Sequence, residues 1–271
     1  MALRIAVVSQ KGGVGKTTVS LNLALALAER KRRTLLVDLD PQGGVGLSLA
    51  RPDDALAGLA DLLMGRTPAA EAVTKTRLAT LALLPRGRLS PVDVGEYEDA
   101  VRAPGVLAGA LGKVEQGFEL VVLDTPSGLG KITRAALSVA DFALVPVQGE
   151  PLGMRSVGQV LEVVEHVRSG ENPKLELLGL LPTMVQKSME PSMAVLIELW
   201  NGFGAVLETV IPRAEVFAEA SHTGLPVGYL GGPISPEVRR FELLAAEVEQ
   251  IMRERRGMEG DRGVQERREL L

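Results

Sequence analysis

The chain alternates short, unbroken apolar runs with longer stretches in which apolar residues recur at helical spacing. Leu3–Val8, Thr34–Val37, Leu81–Leu84, Leu120–Leu123, Phe142–Val147, Leu175–Leu181 and Val206–Ile211 read as strands. Their apolar residues are consecutive rather than alternate, the pattern of strands buried on both faces. Helical patterns fill most of the intervals. The expected architecture is therefore α/β, a mostly parallel twisted sheet with helices on both faces. A first helix is predicted from Lys16 to about Glu29. It runs into Arg30-Lys31-Arg32-Arg33, and cations there complement a helix C-terminus, a reading preferred to a DNA site. Ala55–Met64 is also predicted helical, broken by Gly65-Arg66-Thr67-Pro68. Glu237–Met252 places Val238, Phe241, Leu244, Ala245, Val248 and Ile251 on one face, as a helix packed on a sheet requires.

From Arg253 onward the chain is Arg/Glu-rich and broken by glycines. With no repeat and no linker before it, the pattern predicts one domain over residues 1–252 and a charged, flexible tail over 253–271. Hydrophobic residues make up 46% of the 271, ample for a large core, but only 3% are aromatic, so Leu, Val and Ala must fill it. The net charge of −4 gives no global basic field for nucleic acid and leaves only a local patch. The absence of cysteine excludes disulfides, thiolate zinc sites and cysteine-ligated iron–sulfur clusters. No signal-peptide pattern opens the chain and no apolar run approaches the ~20 residues of a membrane span, so a cytoplasmic protein is expected. His166 and His222 have no metal or nucleophile constellation around them, and Tyr97 and Tyr229 are too few for a tyrosine-rich kinase tail.

The chemistry begins where the strand Ile5–Val8 runs into Gln10-Lys11-Gly12-Gly13-Val14-Gly15-Lys16-Thr17-Thr18 and then a helix. A glycine-rich turn lets backbone N–H groups curl around an anion, and the helix N-terminus adds partial positive charge. Lys16 is placed to reach the outer phosphates of a nucleotide and Thr17 to hold Mg²⁺. The common phosphate-loop pattern has glycine where this chain has Gln10, and it lacks the second lysine, Lys11. Lys11 is either a solvated loop lysine or one that reaches a nucleotide bound by another subunit. Two further strands end in carboxylates, Leu35-Leu36-Val37-Asp38-Leu39-Asp40 and Leu120-Val121-Val122-Leu123-Asp124. In a parallel sheet those ends face the ligand crevice. Of Asp38 and Asp40, one can support Mg²⁺ through water and the other orient the attacking water. Asp124 is a Walker B-like residue for the metal. A base can lie against Met184 and Pro212, which follow the late strands.

These residues carry a family resemblance. Lys11 to Thr18 resembles the deviant Walker A motif of the ParA/MinD ATPases, and Val37-Asp38-Leu39-Asp40-Pro41-Gln42 resembles that family's second signature. Similar stretches follow at Ala140–Val147, Thr209–Arg213 and Glu219–Val227, so the similarity spans roughly residues 3–252 and is nearest to small partition ParA proteins. The resemblance implies a P-loop NTPase fold and a slow Mg²⁺-dependent ATPase that forms an ATP-sandwich homodimer. It implies that Lys11 crosses to the partner's nucleotide, Lys16 binds phosphate and Thr17 holds Mg²⁺. Asp40 is then matched to the residue that positions water, and Asp38 and Asp124 to the acids around the metal. It further implies nonspecific duplex DNA binding at the nucleoid, release by a ParB-type partner, and a role in chromosome or plasmid segregation. The chain departs from many chromosomal members at Val216 and at Gln186-Lys187-Ser188-Met189, where arginines stand in them. Lys187, Arg213, Arg239 and Arg240 are the cations left to compensate. The alternative is a MinD-like or cargo-positioning ATPase acting on a membrane or a protein complex. Against membrane attachment, 253–271 carries only Met258, Val264, Leu270 and Leu271 as sizeable apolar residues.

Overall fold

The structure is a computed structural model. It describes residues 2–49, 56–231, 233 and 235–269, and for Leu152 and residues 257–269 it describes the backbone alone. Its centre is a sheet of seven strands: β1 (Leu3–Val7), β2 (Thr34–Asp38), β3 (Thr74–Lys75), β4 (Leu81–Leu84), β5 (Leu120–Asp124), β6 (Phe142–Gln148) and β7 (Glu176–Thr183). They are ordered β3-β4-β2-β5-β1-β6-β7, and all pairs are parallel except β3 with β4. Every residue of β2, β5 and β6 is buried, which is why their sequences are apolar at consecutive positions.

Two hydrophobic layers cover the sheet. On one face α1 (Lys16–Glu29) packs with α11 (Pro236–Glu269), joining Leu23 and Leu27 to Phe241, Leu244 and Val248. On the other lie α5 (Val94–Arg102), α6 (Val106–Val114), α7 (Lys131–Val139), α8 (Pro151–Gly170) and α9 (Glu190–Gly202). Shorter helices α2 (Gly44–Ser48), α3 (Leu59–Leu63), α4 (Ala69–Ala72) and α10 (Glu215–Thr223) fill the connections. Three of the four cations after α1, Arg30, Arg32 and Arg33, are engaged in ion pairs. Arg30 and Arg32 both bind buried Glu249 of α11 at 2.7 Å, and Arg32 and Arg33 meet Glu119.

Three predicted elements differ from those observed. Val206–Ile211 is not a continuous strand: the N–H groups of Leu207 and Ile211 donate to the carbonyls of Leu180 and Pro182 of β7 at 2.9 Å each, and the pairing is otherwise limited to isolated bridges, Leu180 with Val206 and, just past both elements, Val185 with Pro212. Between those bridges the backbone N–H groups of Glu208 and Thr209 donate to the Glu247 carboxylate of α11, at 2.6 and 3.0 Å. For these two donors a side chain has replaced the strand partner. The helix predicted over Ala55–Met64 is only α3, Leu59–Leu63, and Ala55 lies outside the described residues. α3 starts late because the Asp61 carboxylate accepts from the N–H of Gly58 and clips that turn to Arg88. Last, α11 runs to Glu269 rather than ending near Met252. The Arg/Glu composition there favours helix enough to carry the backbone through glycines that cost about 1 kcal/mol each.

Candidate nucleotide site

Strand register gathers the chemistry at one end of the sheet. Asp124 is paired with Val7 on one side and with Asp38 on the other, so the carboxylates of β5 and β2 and the loop after β1 arrive together. The loop turns on Gly13 (φ 74°) and Gly15 (φ 90°), both in the left-handed region that only glycine enters freely. Gln10 has no positive φ, so the glycine of the common pattern is not needed there. Gly12 passes close to Ser127, whose Oγ would lie 3.3 Å from an added Cβ.

Lys16 opens α1 and is buried. Its Nζ donates to the hydroxyls of Ser9 (3.0 Å) and Ser127 (3.3 Å). Burial lowers its pKa, and Asp124 and Asp40 oppose that by favouring the ammonium. Thr17 Oγ1 donates to Asp124 Oδ2 and Ser20 Oγ to Asp124 Oδ1, each at 2.8 Å. Burial nevertheless pushes the Asp124 carboxyl up to about 6, against those two hydroxyls and Lys16. A buried carboxylate with only hydroxyl donors, beside a buried ammonium with only hydroxyl acceptors, suits a cation and an anion bound next to each other. The donor set therefore fits Mg²⁺ and phosphate. Thr18 follows in the first turn of α1, and its carbonyl accepts from Asn22 Nδ2 at 2.8 Å.

Asp38 is buried and shapes the loop after β2. Its Oδ1 accepts the N–H of Asp40 (3.0 Å) and its Oδ2 that of Val45 (2.9 Å). Both oxygens thus face backbone donors. Asp40 is half-buried beyond it, and its Oδ1 accepts the N–H of Gln42 at 2.9 Å. Lys11, half-exposed at the loop's mouth, reaches Gln148 Oε1, at the end of β6, at 3.3 Å and Glu150, just beyond it, at 3.7 Å. On the far side of the loop Thr183 Oγ1 donates to the carbonyl of Val14 at 2.9 Å. Met184 (φ 53°) follows, its Cε 3.8 Å from where a Cβ on Gly15 would stand, and the Val185–Pro212 bridge brings Pro212 alongside.

Each residue expected at the site is therefore in one neighbourhood. Ser9, Ser20, Ser127, Gln148 and Glu150 were not among the expected residues. Ser9 and Ser127 stand just past the ends of β1 and β5, a position that could have flagged them, whereas nothing in the sequence ties Gln148 to Lys11.

A parallel sheet that delivers a glycine loop, a buried lysine, a hydroxyl and a carboxylate to one point defines a P-loop nucleoside triphosphatase. The family described as AAA domain matches residues 2–177. The chromosome-partitioning ATPase Soj of Thermus thermophilus is 39% identical over 250 residues, covering 90% of this chain and 94% of that protein. The chromosome partitioning protein ParA of Caulobacter vibrioides is 36% identical, covering 82% and 85%. The chain belongs to the ParA/MinD family of deviant Walker A ATPases, and it is an ATP-hydrolysing enzyme. Among solved structures, the septum site-determining protein MinD of Pyrococcus horikoshii, complexed with Mg-ADP, superposes with a TM-score of 0.77 at 26% identity over 93% of this chain and 98% of that one. Cobyrinic acid a,c-diamide synthase of Mycobacterium smegmatis, with bound ADP and magnesium, gives 0.75 at 32% identity over 91% and 93%. Among the described residues no helix is long and apolar enough to cross a membrane.

Proposed function

We propose that the protein is a DNA-partition ATPase whose ATP-bound homodimer holds nonspecific duplex DNA and lets go after hydrolysis stimulated by a ParB-type partner. Lys11 carries this reading. It is a second loop lysine whose ammonium meets Gln148 and Glu150 rather than the hydroxyls that hold Lys16, and it sits at the open mouth of the site. There it can exchange Gln148 and Glu150 for the phosphates of a nucleotide in a facing subunit, an interaction that exists only in the dimer. The loop N–H groups and Lys16 bind the phosphates of ATP. Thr17 and Asp124 hold Mg²⁺, with Asp38 behind them, and the metal when bound neutralises developing charge on the transferred phosphoryl group. Asp40 orients the attacking water, and Met184 and Pro212 flank the base. With no further base beside Asp40 among the expected residues, unstimulated turnover is slow and acts as a timer.

The test is retention on nonspecific DNA with ATP, ADP or no nucleotide, for the wild type and Lys11→Ala. Retention only with ATP, lost in the variant and at high salt, is expected. ATP-bound protein without affinity for duplex DNA at low salt overturns the DNA arm. One observation favours the second reading, a positioning ATPase for a protein cargo. Met189, Ile197 and Trp200 on and beside α9 are exposed at 48%, 53% and 46%, next to the stretch where family arginines are missing. Flotation with liposomes and ATP separates a membrane platform from both.

A further inference from the structure

The loop that presents Asp40 is gripped from outside the nucleotide site. Tyr97, on α5, is fully buried, and its hydroxyl donates to the carbonyl of Leu39 at 3.0 Å. The other end of that peptide unit, the N–H of Asp40, donates to Asp38 Oδ1 at 3.0 Å. The single peptide plane leading into Asp40 is therefore pinned at both polar atoms. One residue further on, Arg86 Nη1 donates to the carbonyl of Pro41 at 2.8 Å. Leu39 N–H is bonded to the Asp124 carbonyl at 2.9 Å, so the same segment is also tied to the strand that carries the metal-side carboxylate.

Burying a phenol between carboxylates is unfavourable unless the hydroxyl acts as a donor. Burial, with Asp38 and Asp40 nearby, drives the Tyr97 pKa well above its usual value, so the hydroxyl keeps its proton. A phenylalanine would fill the core equally well. What the oxygen adds is the grip on Leu39. The same helix, through Val94 and Glu98, faces Asp40, Pro41 and Gln42 across a cavity of about 320 Å³, so the direct tie from α5 to this loop is the Tyr97 hydroxyl.

We infer that Tyr97 is a positioning residue for ATP hydrolysis: by holding the Leu39 carbonyl it fixes the peptide plane from which Asp40 addresses the attacking water. The inference rests on the reading of Asp40 given above. A carboxylate displaced by a fraction of an ångström orients water poorly, and such losses fall on kcat rather than on binding.

The experiment measures steady-state and single-turnover hydrolysis, together with binding of a fluorescent ATP analogue, for wild type, Tyr97→Phe, Asp40→Ala and the double variant. Assays run well below each protein's melting temperature. Tyr97→Phe is expected to lower kcat about tenfold, leave KM and nucleotide affinity within twofold, and lengthen the lifetime of bound ATP. In the Asp40→Ala background it should have no further effect, because the two residues act as one unit. Tyr97→Met fills the site without a donor, and should show the same kcat loss if the Phe variant folds poorly. Wild-type kcat in Tyr97→Phe overturns the inference while leaving Asp40's role intact. An equal kcat loss in the Asp40→Ala background overturns it too, because Tyr97 would then act by another route. Wild-type hydrolysis in Asp40→Ala itself instead overturns the reading of Asp40.

Discussion

At the scale of single residues, the site joins groups that the loop motif names and groups that it does not. Asp124 shows the tension. Its carboxyl is raised from 3.8 to about 6 by burial, so the folded protein accepts its charge less readily than the unfolded chain does. The contribution of Asp124 to stability is then greatest below the unfolded value and falls as pH rises from about 4 to about 6, by roughly 1–3 kcal/mol, and stays reduced above. Asp124→Asn removes that loss. Without nucleotide, its melting temperature should exceed the wild type's at pH 7.5 and not at pH 4, while hydrolysis disappears. A lower melting temperature at pH 7.5 would count against the assignment. The residues of this site were legible in the sequence where chemistry follows from a local pattern: Lys16 and Thr17 in the loop, and Asp124 at the end of an apolar run. Tyr97 was not, because a tyrosine inside a helix carries no local sign that its hydroxyl meets a carbonyl at Leu39.

At the scale of elements, six of the seven expected strands form, because burial on both faces writes an unbroken apolar run. The failure at Val206–Ile211 has the opposite cause. Whether an apolar segment joins a sheet depends on what its N–H groups find, and Glu247 is distant in sequence. β3 went unseen because two residues make no pattern. The tie between the end of α1 and α11 gives a pH test. Burial alone would raise the Glu249 carboxyl, but its bonds to Arg32 and Arg30 hold it below the usual value. Its contribution is complete above the unfolded pKa near 4.5 and is lost as pH falls through the lower, folded value. Glu249→Gln should therefore lower the melting temperature at pH 7, with the difference from wild type shrinking toward pH 3. A pH-independent difference would mean that packing, and not charge, sets the effect.

At the scale of the whole molecule, α11 closes one hydrophobic layer, with Phe241, Leu244, Ala245, Val248 and Met252 buried. Each large apolar side chain there is worth roughly 1.5–3 kcal/mol, whereas the half-exposed Arg255–Glu176 pair contributes about 1 kcal/mol at most. A chain ending after Arg256 should keep the full-length melting temperature within a few degrees and retain ATP hydrolysis. One ending after Arg240 should not fold, as circular dichroism would show. The Glu247 clip has a further consequence, for solubility. A sheet ending in a fully formed outer strand offers neighbouring molecules a row of free backbone donors, the template from which fibrils and swapped dimers grow. Here the segment beside β7 bonds it at both ends, through Leu207 and Ile211, and the donors of Glu208 and Thr209 between them are already taken by a carboxylate, which also repels an approaching strand's carbonyls. Glu247→Ala should leave the nucleotide site alone and make the protein self-associate on gentle heating, visible as light scattering before any loss of helix. The residue that spoils the seventh predicted strand should thus also be one that keeps molecules of this protein apart.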